Sequence, residues 1–193
     1  MKKMLFLNAC VNREISRTLR IGKELIALLQ KNGDYEVTEL VLEEENIPSM
    51  LSAKLNERNA LLKQKDYNNP MFDLANQFKD ADCIVVAAPY WDFSYPSILK
   101  TYIEVISIPG IVYRFGENGR PVGQCKAENL YYVTTRGGNI GDERDLGFGT
   151  MAQLGKFYGI KDVKCIGVDG FDIPTNDVET LVAGAVAELP NKI

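Results

Sequence analysis

A thiol, two hydroxyl groups and a guanidinium are crowded into one short stretch of the chain. Residues 8–18 read NACVNREISRT and lie between an apolar run and an amphipathic one. Cys10 could attack a phosphate as a nucleophile. Alternatively, Ser16, Arg17 and Thr18 could hold a phosphate that belongs to a ligand, because the first N–H groups of a helix are free and the helix dipole favours anions. Ser16 could also be only the N-cap of the helix that follows.

The spacing around Cys10 disfavours a nucleophile. Cysteine phosphatases have the pattern C-x5-R-[ST], in which the arginine closes a ring around the phosphate, whereas six residues (11–16) separate Cys10 from Arg17 here. The extra residue changes the direction of the arginine, and the sequence has no Asp-Pro pair to supply a general acid. A phosphatase is therefore the weakest of the alternatives, since nucleophile and anion clamp must agree in geometry.

A second stretch with chemical potential is PYWDFS, at residues 89–94, directly after a buried apolar run. A flat aromatic ligand could lie against Tyr90, Trp91 and Phe93. Packing of one or two of these rings into the protein is the alternative.

A third stretch is TTRGGN, at residues 134–139. Its paired glycines, Gly137 and Gly138, permit close approach of the backbone to a ligand, and also permit an ordinary turn. Arg136 could bind a ligand or pair with an acidic neighbour.

Apolar runs that alternate with helical patterns predict the elements that position these stretches. Strands are predicted at residues 3–9, 35–42, 82–89, 130–135 and 163–170. Helical spacing follows residue 18 up to Gly33 as C-cap, and is also present at about 51–79 (broken at Pro70), 97–107, 145–158 and 175–189. This alternation predicts an α/β fold with a flavodoxin-like, doubly wound, five-stranded parallel sheet in the order 2-1-3-4-5. In that order the three stretches converge at the carboxyl ends of strands 1, 3 and 4.

Composition limits the function classes. The 193 residues suit a single domain, 1–193, and the net charge of −4 gives no electrostatic footprint for nucleic acid or an anionic membrane. The chain has no histidine, which removes histidine triads and most catalytic zinc sites, and we expect no metal. The four cysteines form no CxxC pair, and no apolar run suits a signal peptide or a membrane span, so we expect a cytoplasmic protein.

Three segments together resemble a known family. APYWDFSYPSILKTYIEVISIPGIVYRFGENG (88–119), TTRGG (134–138) and SRT (16–18) are similar to the FMN-dependent NADH-azoreductases, which are quinone reductases of flavodoxin-like fold. The resemblance implies a homodimer with one FMN per subunit and active sites at the dimer interface. It also implies that NADH or NADPH donates a hydride, and that small aromatic quinone, azo or nitroaromatic substrates accept it.

The resemblance also implies which residues bind FMN. Ser16, Arg17 and Thr18 would surround the phosphate, and Cys10 stands where the family usually has a serine, although a thiol is a weaker donor. The residues implied beside the flavin ring are Tyr90, Trp91, Asp92 and Phe93 in the second stretch, and Thr135, Arg136, Gly137 and Gly138 in the third. Asp92 replaces the common asparagine, so a contact to a flavin carbonyl must come from backbone N–H.

The long connection at 109–124 contains a predicted turn at Asn118-Gly119. By the resemblance, Tyr113, Arg114 and Phe115 project over the flavin of the partner subunit. The alternative is a surface hairpin with Phe115 packed down.

No side chain needs to be a dedicated catalytic group in this scheme, because a flavin carries hydride transfer itself. The rival interpretation is a flavodoxin-type one-electron carrier, which would bind the same FMN and dock a partner protein.

Overall fold

A parallel sheet of five strands forms the centre of the computed structural model, which describes residues 1–193. Across the sheet the strands are β2 (Tyr35–Val41), β1 (Lys2–Asn8), β3 (Cys83–Ala87), β6 (Asn129–Thr135) and β7 (Asp162–Val168). Every neighbouring pair is parallel. Counted among the strands of this sheet, the order is 2-1-3-4-5, so the predicted flavodoxin-like fold is confirmed.

Helices cover both faces of the sheet, as parallel strands require. On one face lie α1 (Arg17–Asn32) and α6 (Val178–Glu188), and on the other lie α3 (Asp73–Asp80), α4 (Ser97–Ile106) and α5 (Leu146–Tyr158). Successive strand residues point to opposite faces, so Phe6 packs with the α1 side while Leu5 and Leu7 pack with the α4 side. The remaining helix, α2 (Ser52–Gln64), buries no residue. None of these helices combines the length and the apolar character needed to cross a lipid bilayer.

The predicted helix boundaries at Pro70 and Gly33 are confirmed, although the backbone at Gly33 is extended. The helical region at 51–79 is divided by a 3₁₀ turn at Pro70–Phe72, where proline opens a new helix. Gly33 is the C-cap of α1, but its backbone is extended, with φ −159° and ψ 158°. Glycine suits this position because a Cβ would lie 2.8 Å from the ring of Tyr35.

The connection at 109–124 forms a small antiparallel hairpin of β4 (Tyr113–Phe115) and β5 (Pro121–Gly123). Gly119 supplies the positive φ of the predicted turn, at +70°. The ring of Tyr113 packs against Phe157 of α5, with centroids 4.5 Å apart. Phe115 is not packed down, because 61% of its surface is exposed.

Candidate functional site

The three stretches meet at the carboxyl edge of the sheet. We call them the first loop (9–16), the second loop (88–96) and the third loop (136–141). Ala9 N donates to Ala87 O at 2.9 Å, and Tyr90 N donates to Thr135 O at 3.2 Å. The hydroxyls of Thr18 and Thr135 are 2.6 Å apart. The contacts link the first loop to the end of β3, the second loop to the end of β6, and the start of α1 to the end of β6. The three loops therefore lie side by side, as the strand order predicts.

The first turn of α1 offers donors to an anion. Ser16 is the N-cap, and its Oγ accepts a hydrogen bond from Leu19 N at 3.1 Å. The hydroxyl hydrogen of Ser16 stays available, because an N-cap uses only the oxygen. The backbone N–H groups of Arg17 and Thr18 have no partner within the chain. An anion placed here would therefore meet two N–H groups, a hydroxyl and the positive end of a helix.

Arg17 rests against the loop that follows β7. Its guanidinium carbon lies 5.3 Å from the centroid of the Phe171 ring, and its Nη1 is 4.0 Å from Asp172 Oδ1. The side chain is 40% exposed. An exposed ion pair at that distance is weak, so Arg17 is free to turn toward an anion at the start of α1.

Cys10 lies at the same edge but is buried, with 2% of its surface exposed. Its Sγ is 3.6 Å from Ala87 O. Burial raises the pKa of the thiol to about 11, and the nearby Ser16 hydroxyl only partly opposes that shift. Because the thiolate is the reactive form of cysteine, the structure disfavours Cys10 as a phosphatase nucleophile.

The second loop contains a tight turn from Trp91 to Ser94, closed by hydrogen bonds of 3.0 Å and 2.7 Å between the two residues. Its central residues, Asp92 and Phe93, both have left-handed backbones, with φ of 48° and 66°. Two positive φ values define a type I′ turn. Asp is among the residues favoured at the first of these positions, whereas a bulky side chain such as that of Phe93 at the second costs about 1–3 kcal/mol. The N–H groups of Asp92 and Phe93 have no partner within the chain.

The aromatic side chains of the second loop are divided between surface and interior. Trp91 is 49% exposed and Phe93 is 68% exposed. The hydroxyl of Tyr90 is buried without a hydrogen-bond partner. A buried hydroxyl of this kind is expected to have a partner, so an atom from outside the chain is expected beside it.

The paired glycines of the third loop, Gly137 and Gly138, have different structural roles. A Cβ on Gly137 would overlap the carboxylate of Asp172, so Gly137 makes room for the chain itself. A Cβ on Gly138 would meet only Ile140 Cδ1, at 3.9 Å, so space is open beside it. Only Gly138 therefore fits the interpretation that the backbone is left bare for a ligand.

Arg136 does not join the other predicted residues. Its side chain is 1% exposed and turns into the protein, where it meets three aspartates. Nε donates to Asp145 at 2.9 Å, Nη1 to Asp169 at 2.8 Å and Nη2 to Asp142 at 2.6 Å. Of the two alternatives drawn from the sequence, pairing with acidic neighbours is the one in the structure.

Sequence reasoning missed these aspartates and Phe171, although two signals were available. Asp145 immediately precedes a helical pattern, which is the position of an N-cap. Asp169 directly follows the last strand, at the same edge as the three loops. Neither signal shows which basic side chain the aspartates bind.

Comparison with known proteins agrees with the observed fold. The Flavodoxin_2 family, described as a flavodoxin-like fold, matches residues 2–193. An FMN-dependent NADH:quinone oxidoreductase of Clostridium perfringens is 31% identical over 185 residues, which cover 94% of this chain and 93% of the relative. This chain is a member of the Flavodoxin_2 family. The family resemblance inferred from the sequence motifs is confirmed, and its homologues are enzymes that use FMN and NADH.

Several solved structures have the same architecture as this chain. An azoreductase from Bacillus anthracis str. Sterne has a TM-score of 0.86 at 22% identity, covering 99% of this chain and 98% of that one. An FMN-dependent NADH-azoreductase from Bacillus anthracis str. Ames Ancestor, solved in complex with FMN, has a TM-score of 0.83 at 20% identity, covering 99% and 97%. At these identities the likeness establishes the fold.

The burial of Cys10 yields a prediction about its reactivity. With a pKa of about 11, about one thiol in ten thousand is ionised at pH 7. Iodoacetamide should therefore modify Cys10 in the native protein at least a hundredfold more slowly than a free cysteine, measured by peptide mass analysis. An aryl phosphate should not be hydrolysed. Rapid alkylation, or hydrolysis abolished by Cys10→Ser, would contradict this account.

Asp169 yields a prediction about pH. Burial raises the pKa of Asp169, but hydrogen bonds from Arg136 and from Gly141 N–H outweigh it and hold the pKa below the ordinary 3.8. A lowered pKa stabilises the fold above the unfolded-state pKa, and this contribution is lost as pH falls. Asp169→Asn should cost about 1–3 kcal/mol in urea unfolding above about pH 5, because it removes one member of a charged hydrogen-bonded group.

The difference between Asp169→Asn and the parent protein should shrink as pH falls below 3.8. Asp162→Asn, at the opposite end of β7, is the control and should change the free energy of unfolding by less than about 0.5 kcal/mol at every pH. A difference between parent and Asp169→Asn that is independent of pH would count against the ionic contribution.

Proposed function

We propose that this chain is an FMN-dependent oxidoreductase that takes a hydride from NADH and passes it to a quinone. Azo and nitroaromatic compounds are further proposed acceptors, used in the same ping-pong manner. The observation that carries the proposal is the set of unpaired donors at the carboxyl edge of the sheet, in a chain whose homologues are named for FMN and NADH. We take residues 1–193 as a single FMN-binding domain.

The start of α1 fits the phosphate of FMN. The chain carries a net charge of −4, so a phosphate dianion must be held by local donors. The unpaired N–H groups of Arg17 and Thr18, the hydroxyl of Ser16 and the partly exposed guanidinium of Arg17 are such donors. Cys10 is buried beside them and contributes at most a weak S–H donor.

The second and third loops fit the flat, polar-edged ring of a flavin. Asp92 and Phe93 present backbone N–H groups, which suit carbonyl oxygens, whereas the ionised side chain of Asp92 can only accept. The unpartnered hydroxyl of Tyr90 suits a polar atom at the ring edge. Gly138 borders the open space beside the third loop, and Thr135, which bonds Thr18, lies at the strand end before that loop, while the side chain of Arg136 turns into the protein.

Bound FMN would supply acceptance of the hydride from NADH and its delivery to the acceptor. The chain's own residues would then bind and orient the cofactor and shield the substrate from water. The loop donors fix the ring, and the exposed rings of Trp91 and Phe93 give an apolar surface that excludes water from a stacked substrate. No histidine or ionised thiol is needed, which agrees with their absence from this edge.

We also propose a homodimer in the cytoplasm, with active sites at the interface. Trp91, Phe93, Phe115 and Leu146 are all large apolar residues with at least 49% of their surface exposed. Apolar side chains gathered near a site favour coverage by another surface, and a second copy would supply it. Phe115 and Arg114 on the hairpin are then the residues that would reach over the partner's flavin.

Titration with FMN and NADH tests the proposal. Purified protein should bind FMN with quenching of flavin fluorescence, and anaerobic NADH should bleach the absorbance of the complex. Addition of a quinone should then restore that absorbance. FMN binding without NADH oxidation would favour the flavodoxin-type one-electron carrier, and failure to bind FMN would remove the proposal.

A double variant tests the phosphate contacts. Ser16→Ala with Thr18→Ala should raise the Kd for FMN at least about tenfold, because the Ser16 hydroxyl donor is lost and the Thr18–Thr135 hydrogen bond that holds the start of α1 is broken. The rate of NADH oxidation at saturating FMN should stay within about twofold, since neither residue touches the ring. Asp177→Ala with Thr180→Ala is the matched control, because it removes the N-cap hydrogen bonds of α6 instead. A loss of rate with unchanged affinity would contradict the phosphate role.

A further inference from the structure

Every polar group of Arg136 already has a partner within the chain. Each of its three guanidinium nitrogens donates to a different aspartate, and Nη2 also lies 3.6 Å from Cys165 Sγ. Its backbone N donates to Val168 O at 2.9 Å, and its backbone O accepts from Phe171 N at 3.1 Å. The residue lies within the third loop yet faces entirely into the protein.

The aspartates extend the network of Arg136 to other segments. Asp145 caps α5, since its Oδ1 accepts from Phe148 N at 2.9 Å. The next residue, Leu146, donates its N–H to Phe93 O in the second loop at 3.1 Å. Arg136 is thus linked to the strained turn of the second loop through Asp145 and the first residue of α5.

The other aspartates hold the third loop itself. Asp169, after β7, accepts from Arg136 through Oδ1 and from Gly141 N through Oδ2, the latter at 2.8 Å. Asp142 closes the opposite side of the guanidinium. The two ends of the third loop, Arg136 and Gly141, are therefore both bonded to the carboxylate of Asp169, the residue directly after β7.

The fold leaves space for this cation. Gly167 of β7 has no side chain, and a Cβ there would overlap Asp142 and lie 2.5 Å from Arg136 Nη2. Burial disfavours the charged guanidinium, but the hydrogen bonds that it donates to the aspartates hold the pKa of Arg136 above its ordinary value. Removal of the cation would leave three carboxylates near one another without compensation, and like charges at short range repel.

We propose that Arg136 is a positioning residue of the FMN site: it does not touch the cofactor, and holds the second and third loops in the arrangement that binds it. This inference rests on the proposed function. The aspartate partners are part of the same device, and Asp145 is the member that reaches the second loop.

Two N-cap aspartates provide a matched test. Asp145→Asn keeps a capping side chain but removes the charge that pairs with Arg136, whereas Asp177→Asn makes the same change at the cap of α6, away from the network. Asp145→Asn should raise the Kd for FMN on the order of 10- to 100-fold, because outer residues that orient binding groups have effects of that size. Asp177→Asn should leave the Kd within about twofold.

Arg136 variants and hydrogen exchange separate positioning from direct contact. Arg136→Lys should weaken FMN binding less than Arg136→Met, because lysine retains the charge but not the fork of donors. Both variants should accelerate amide exchange at Gly141, Leu146 and Phe148, without change in β1, in protein free of FMN. This second readout does not depend on the cofactor.

The outcomes are distinct. Weaker FMN binding by Arg136→Lys with unchanged amide exchange, and normal binding by Asp145→Asn, would make Arg136 a direct ligand and overturn the inference. Faster exchange with unaltered FMN affinity would overturn it too, since the network would then be structural only. If the parent protein binds no FMN, the proposed function fails, and the cofactor role of Arg136 fails with it, even where exchange shows that the network holds the loops.

A glycine pair keeps the test decisive if the Arg136 variants do not fold. Gly167→Ala pushes on the guanidinium without removing any charge, while Gly184→Ala in α6 meets no neighbouring atom within 4 Å. Gly167→Ala should raise the Kd for FMN about tenfold or more with an unchanged far-ultraviolet circular dichroism spectrum. Gly184→Ala should not change the Kd for FMN. An equal Kd for the two variants would contradict the inference.

Discussion

The burial of one guanidinium constrains the whole carboxyl edge of the sheet in this molecule. A cation out of contact with water is tolerated only where carboxylates compensate it with good geometry. The three aspartates around Arg136 come from a 3₁₀ turn, the cap of α5 and the end of β7. Because none of these segments can satisfy the cation alone, they must assemble together, and the loops between them gain a fixed arrangement as a result.

Parallel strands supply the platform on which that arrangement is built. Asn8 pairs with Ala87, and Ala87 pairs with Val133, two residues before the end of β6, so the strands that precede the three loops end within two residues of one level. A parallel ladder cannot end one strand far beyond its neighbour without leaving backbone groups unpaired. Loops of different composition are thereby brought within hydrogen-bond distance, as the contacts of Thr135 with Thr18 and Tyr90 demonstrate.

The elements could be predicted from local patterns because their signals are local. The β-branched run of β3 and the serine that caps α1 are both recognisable from the residues of the element itself. The strand order followed from the number of strands and their alternation with helices. The direction of Arg136 is different, since its partner Asp169 lies 33 residues away and its space depends on Gly167. The exposure of Phe115 was likewise open, because it depends on how the hairpin meets α5. Side-chain direction at such positions is a property of the assembled fold.

The left-handed turn at Asp92 and Phe93 has a consequence for how the molecule behaves before it meets a ligand. The side chain of Phe93 opposes the backbone shape it occupies, so the closing hydrogen bonds between Trp91 and Ser94 and the packing around the turn must maintain it. The hydrogen bonds and packing of the folded protein therefore fix the backbone of this turn, while the N–H groups of Asp92 and Phe93 keep no partner within the chain. Under the proposed function, binding of a ligand to these donors requires little reshaping of the main chain, which favours rapid and reversible association.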